Sequence, residues 1–129
     1  MDIYAPFDGP VTNWTPVWTG FSTPPVVNAG DAFFYVRGKK CSARCRPTSV
    51  GASNATTMTV TLPLVSANTS SAQMFTCTVM NSNAVQPVLG RIDIAPNSNI
   101  ATVYLNAAQA AFAATQNKCA FFDIEYLIP

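Results

Sequence analysis

From residue 33 onward, apolar and polar side chains alternate with a period of two. That is the spacing of strands with one buried face. Thr57 to Leu62 is the strictest case: Thr57, Thr59 and Thr61 face one way, Met58, Val60 and Leu62 the other. Residues 33 to 37 (Phe-Phe-Tyr-Val-Arg) have the aromatic and β-branched content that strands favour. Gly38-Lys39 reads as a turn. In residues 40 to 46, Cys41, Ala43 and Cys45 share one face and Ser42, Arg44 and Arg46 the other. Further strands are predicted over Met74 to Met80, Gln86 to Ile94, Asn99 to Leu105 and Ala120 to Ile128, with Asn81-Ser82-Asn83 as a turn. The last strand places Phe122, Ile124, Tyr126 and Ile128 on one side and Asp123 and Glu125 on the other.

Two stretches break this period. Residues 1 to 25 carry five of the ten prolines together with Tyr4, Phe7, Trp14, Trp18 and Phe21. Proline at that density forbids a long helix or a central strand, while the aromatic rings call for burial. An extended arm laid across a surface, its own or a neighbour's, meets both demands. Ala107 to Ala114 has high helix propensity but no polar face; a single helical turn and a compact loop packed by Phe112 are equally consistent with it. The pattern predicts an all-β chain. Its body is a β-sandwich or jelly-roll-like domain of seven to eight short antiparallel strands over 26 to 129. The extended N-terminal arm covers 1 to 25.

Composition sharpens this picture. The chain has 129 residues, 49% of them hydrophobic and only 10% charged, where an ordinary domain carries about 25%. Such weak charge leaves the surface little guarded against association, which points to burial against partner copies or a larger assembly. The net charge is +1, and five of the seven basic residues fall between 37 and 46. A basic stretch on one strand, with Arg37, Lys39, Arg44 and Arg46, reads as a solvated face or a contact to another protein's carboxylates rather than a nucleic-acid site. The N-terminus has no signal-peptide pattern and no segment has the length of a membrane helix, so the expectation is a chain made in the cytoplasm and not secreted.

Chemistry is sparse. There is no histidine, which removes the usual base of serine and cysteine nucleophiles and a common zinc ligand. Cys41 and Cys45 lie about 13 Å apart along a strand, too far to bond each other, and read as small buried hydrophobes. Asp123 and Glu125, about 7 Å apart on one strand face, are the best acid/base pair available, but any solvated strand shows that spacing. No phosphate loop or dinucleotide motif is present. The Asn-x-Ser/Thr matches at Asn13, Asn54 and Asn68 are ordinary in a chain this rich in Asn and Thr. No enzymatic activity, cofactor or metal is expected. Tyr4, Trp14, Trp18 and Phe21 suit a subunit interface better than a sugar platform, because a stacking platform is better held on a rigid strand.

Several segments together resemble one known group. The run Trp14 to Ser22 (Trp-Thr-Pro-Val-Trp-Thr-Gly-Phe-Ser), the aromatic strand and turn Phe34 to Lys39, and the segment Ser53 to Pro63 are similar to parts of the small β-domains of bacteriophage virion surfaces. So are the pair Gly90 to Ile94 and Ala101 to Tyr104, and the ending Phe122 to Tyr126. The similarity spans about residues 14 to 127. The group includes capsid decoration (cement) proteins, head fibres and tail-fibre tips. The resemblance implies a non-enzymatic, homotrimeric virion-surface protein. Its partners would be copies of itself and the major capsid protein or another virion protein, with no role for nucleic acid or membrane. The short arm at Met1 favours a decoration protein docked on the outside of the head. The alternative is a tail-fibre or head-fibre tip that binds a host receptor or glycan.

Overall fold

The structure is a computed structural model that describes residues 10–129. Twelve strands form it: β1 (Thr12–Asn13), β2 (Trp18–Thr19), β3 (Phe21–Thr23), β4 (Ala32–Arg37), β5 (Lys40–Cys45), β6 (Gly51–Ser53), β7 (Met58–Thr61), β8 (Gln73–Asn81), β9 (Ala84–Val85), β10 (Gly90–Ile94), β11 (Ile100–Tyr104) and β12 (Asn117–Leu127). Every ladder between them is antiparallel, and no helix occurs among the described residues. The chain is all-β, as the alternation predicts, and the sheet is curled. The count exceeds seven or eight because pieces such as β1, β2 and β9 are two residues long, too short for a period of two to register.

The principal path runs β1-β4-β5-β12-β8-β10-β11-β7-β2. Its curl comes from strands that change partner along their length. Residues Asn117 and Lys118 of β12 pair with β6, Cys119 to Phe121 with β8, and Phe122 to Leu127 with β5. One continuous strand therefore holds both halves of the sheet at the angle that encloses the core. The strict alternation of β5, β7, β10 and β12 fills that core with Cys41, Ala43, Cys45, Met58, Val60, Ile92, Ile94, Phe122, Ile124 and Tyr126, all buried. Burial of this apolar surface is the main stabilising term, at roughly 25 cal/mol per Å².

The stretch from 10 to 25 is not a separate arm: it threads through the body. β1 pairs with β4 and β2 with β7, at opposite ends of the strand order, so residues 14 to 17 join the two ends of the curled sheet. Trp14 fastens both. Its backbone N–H donates to Ala32 O at 3.1 Å and its Nε1 donates to Thr61 O at 3.2 Å. Its ring packs against Phe34 and Phe122, with centroids 6.5 Å away in each case. Trp18 is buried and meets Phe21 edge-on at 5.9 Å. The prolines do exclude a long strand, but the aromatic side chains find their burial within the same chain.

Two other expectations change. β10 begins at Gly90, not Gln86: Gln86 N–H still donates to Val79 O as a continuation of the β8–β9 pairing, Pro87 has no N–H to carry a ladder on, and residues 87 to 89 form an exposed link to β10. Residues 107 to 114 form the compact loop and not a helical turn. Asn106 Oδ1 accepts the N–H groups of Ala108 and Ala110 at 2.9 and 3.3 Å, a side-chain alternative to helical bonding. Phe112 then buries against the body.

Candidate functional site

Register decides which side chains face outward. On β5, the core set Cys41, Ala43 and Cys45 leaves Lys40, Ser42 and Arg44 outside; the cross-strand partners Phe33 and Asp123 of Arg44, and Tyr35 and Glu125 of Ser42, stand beside them. Arg44, in the row of Phe33 and Asp123, lies over the Phe33 ring, 5.8 Å from its centroid. Glu125 accepts a hydrogen bond from Ser42 Oγ at 3.2 Å and pairs with Lys40 Nζ at 3.5 Å, an exposed ion pair. Arg46, just past β5, is exposed. Neither Arg44 nor Arg46 is in an ion pair with a described residue. Of the predicted basic face, Arg44 and Arg46 line two neighbouring cavities that share Asp123, while Arg37 and Lys39 lie at the far end of the β4–β5 hairpin, exposed.

Three surface cavities lie side by side here, neighbours sharing wall residues. The first, about 220 Å³, is lined by Phe33, Tyr35, Ser42, Arg44 and Asp123. Asp123 also walls the second, about 420 Å³, with Arg46, Phe121, Thr76, Thr78 and Leu89. Thr76 and Leu89 in turn wall the third, about 770 Å³, with Met74, Val88, Arg91 and Ala107. Their lining residues come from β4, β5, β8, β10 and β12 and the segments that flank them. Sequence reasoning missed the third, apolar cavity. Met74, Val88 and Leu89 are each 55% or more exposed. Arg91 gives that cavity no free charge: its Nε and Nη2 donate to Asp93 at 2.7 and 3.0 Å, which raises the guanidinium pKa further. The only advance signal was Pro87, a residue that cannot sit quietly in a central strand.

A second cluster lies at the end of the molecule where β6 meets β12. Lys118 is completely buried. Its Nζ donates to Ala55 O at 2.7 Å and Thr57 O at 2.8 Å. The Phe21 and Phe112 rings stand 5.0 and 5.6 Å away by centroid, and no described carboxylate pairs with it. Burial lowers its pKa to about 8. Two N–H donors suffice for both carbonyls, so the neutral amine keeps these bonds, while the rings favour the ammonium. Gly20 completes the cage: its φ is +94°, and a Cβ there would sit 2.0 Å from Thr57 O and 3.1 Å from Lys118 Nζ. Ser53 Oγ ties in the loop after β11 through Ala113 O at 2.7 Å. Lys118 shares its parity with Ala120, Phe122, Ile124 and Tyr126, so its inward direction was legible once β12 is known to begin at Asn117.

The remaining candidates fall as follows. Tyr4 and Phe7 lie outside the described residues. Trp14, Trp18 and Phe21, expected at an interface, are instead packed against their own chain, so they offer no free stacking platform. Trp18 Nε1 finds no acceptor among the described residues. All four cysteines are free and buried; burial pushes the Cys45, Cys77 and Cys119 thiols up to about 12, which keeps them protonated and poor nucleophiles. Asp123 and Glu125 share a face, as expected, but Glu125 is engaged with Ser42 and Lys40 while Asp123 lines two of the surface cavities. Among the described residues no cluster of potential metal ligands forms. Comparison with protein-family models, curated proteins and solved structures finds no match to the chain.

Proposed function

We propose that this chain is a non-enzymatic structural protein of a bacteriophage virion, a homotrimeric decoration protein that docks on the outside of the head. On this reading the curled sheet is a jelly-roll-like sandwich, and Tyr4 and Phe7 belong to the contacts between copies or with the shell. The observation that carries the proposal is the group of exposed apolar side chains Met74, Val88 and Leu89 lining one surface cavity beside β8 and β10, in a chain with 10% charged residues. Isolated exposed apolar residues are ordinary, but a contiguous group of them marks an interaction surface. Attachment to the assembled shell alone would stabilise the assembly by mass action, and a closed threefold oligomer suits threefold positions on a shell.

The test is direct. Purified chain is mixed with virions whose genome encodes it, after those virions have been stripped of it, and the pellet is assayed for bound protein. Saturable binding and a trimeric mass in sedimentation are expected. A monomer that leaves the particles bare contradicts the proposal.

A further inference from the structure

We propose that the fork where β8 and β12 separate takes up an extended segment of a partner protein as an added strand, held through its main chain. This rests on the reading of the chain as an assembly protein and names the way it grips its partner. Strand geometry sets up the fork. Gln86 N–H donates to Val79 O, so the main-chain groups of Val79 face β9. In a regular strand those of Met80, Thr78, Thr76 and Met74 then face the opposite side. Cys119 to Phe121 of β12 pair along that side only as far as Thr78. From Phe122 onward β12 pairs with β5 instead, and the main-chain groups of Met74 and Thr76 on that side meet no main-chain partner among the described residues. The same alternation on β12, counted from the Phe121–Thr78 pair, turns the groups of Asp123 and Glu125 toward the fork, again with no main-chain partner among the described residues. All four residues are exposed. Gln73 closes the far end. Its side-chain amide accepts from Leu127 N–H at 2.7 Å and donates to Leu127 O at 3.1 Å, the two bonds a paired strand would make.

Open strand edges on both walls select a strand as the occupant, because only a main chain carries donors and acceptors at the matching spacing. The cavity of about 420 Å³ lies in this fork, with Thr76, Cys77 and Thr78 of β8 on one side and Phe121, Phe122 and Asp123 of β12 on the other. Met74 to Cys77 span the fork, roughly 13 Å at the usual rise per residue, so it takes about four or five residues. Alternation sets their character: apolar where the segment turns inward over Cys77 and Phe122, polar where it turns outward beside Thr76 and Asp123. A second copy offering its own β12 edge is disfavoured. Antiparallel pairing of two such edges sets the Asp123 and Glu125 carboxylates of the two chains against each other.

Hydrogen exchange reads the fork directly. In the free full chain the amides of Met74, Thr76, Asp123 and Glu125 should exchange at least about tenfold faster than those of Phe75, Cys77, Phe122 and Ile124, which the ladders use. In protein docked on stripped virions, pulsed with deuterium and then released, the same four amides should be protected. The soluble probe is the acetylated and amidated pentapeptide Thr-Val-Thr-Val-Thr. Its control is N-methylated at both valines, which removes two main-chain donors. The probe should shift the four amides at low-millimolar concentration, and the control should bind about tenfold more weakly. Thr76→Pro removes a fork-facing N–H and no ladder bond, and should weaken the probe by about the same factor. Asp123→Pro repeats the test from the other wall if Thr76→Pro alters the circular dichroism. Slow exchange of the four amides in dilute free protein, their protection by raised protein concentration alone, equal binding of probe and control, or no shift at low-millimolar probe would each overturn the inference. Virion binding separates it from the reading it rests on. Wild-type protein that docks on stripped virions with the four amides still open refutes the fork alone; wild-type protein that does not dock refutes the assembly reading, and the peptide then decides the fork.

Discussion

Lys118 and Arg44 are both cations next to phenylalanine rings, both in or beside β12, and neither has a carboxylate partner among the described residues. Their fates are opposite. Lys118 lies on the inner face, where Ala55 O and Thr57 O and two rings replace water. Arg44 lies on the outer face, over the Phe33 ring and in the wall of a surface cavity. A buried charge must have its donors used or it is expelled; an outer-face charge can wait for a partner. The difference separates a residue that holds the fold from one that is free to bind.

Lys118→Ala should give the largest effect. It leaves two buried carbonyls without a donor and a void between Phe21 and Phe112, at a cost of about 3 to 5 kcal/mol read as a drop in denaturation midpoint. Lys118→Met, which fills the space, should cost clearly less; an equal loss would mean the bonds and not the volume dominate. Gly20→Ala should come next, at about 2 kcal/mol or more, because the positive φ and the Thr57 carbonyl both resist a Cβ.

The pH dependence sharpens the contrast. The Lys118 pKa is about 8 in the folded chain, below its ordinary 10.5, so between those values the unfolded chain holds the extra proton. Stability from this group is therefore full above 10.5 and is lost as pH falls through about 8. The buried thiols oppose it: held at about 12 when folded against an ordinary 9.0, they favour the unfolded chain as pH rises above 9. The difference between wild type and Lys118→Met isolates the lysine. Wild type should gain on the variant as pH goes from 7 to 10, measured by urea midpoints; a flat difference would mean that the amine stays charged. Arg44→Ala should show no such trend and should change stability by no more than about 0.5 kcal/mol. The smallest effect is expected at the exposed Lys40–Glu125 pair, where Glu125→Gln should shift stability within the same margin and less so at high salt.

The legible part of the molecule was the part governed by alternation. β4, β5, β7, β8, β11 and β12 lie within a few residues of their expected bounds, because a period of two follows directly from one buried face. The inward set on β12 and the shared face of Asp123 and Glu125 followed from the same rule. What escaped were features made by chain crossings far apart in sequence. Trp14 reads as a free anchor until Ala32 and Thr61 are brought to either side of it. Lys118 reads as one more surface lysine until β6, Phe21 and Phe112 close over it. The cavity beside Phe121 and Asp123 lies where β12 changes partners between Phe121 and Phe122, which no local pattern encodes.

The central claim is that the outer surface of β5, β12 and β8 docks this chain on a virion shell. Electron cryomicroscopy of virions whose genome encodes the chain tests it most directly. The account predicts trimeric density on the outside of the head, with the outer surface of β5, β12 and β8 turned toward the shell or a neighbouring copy. Density confined to the tail, or density on the head with that face turned to solvent, would contradict it.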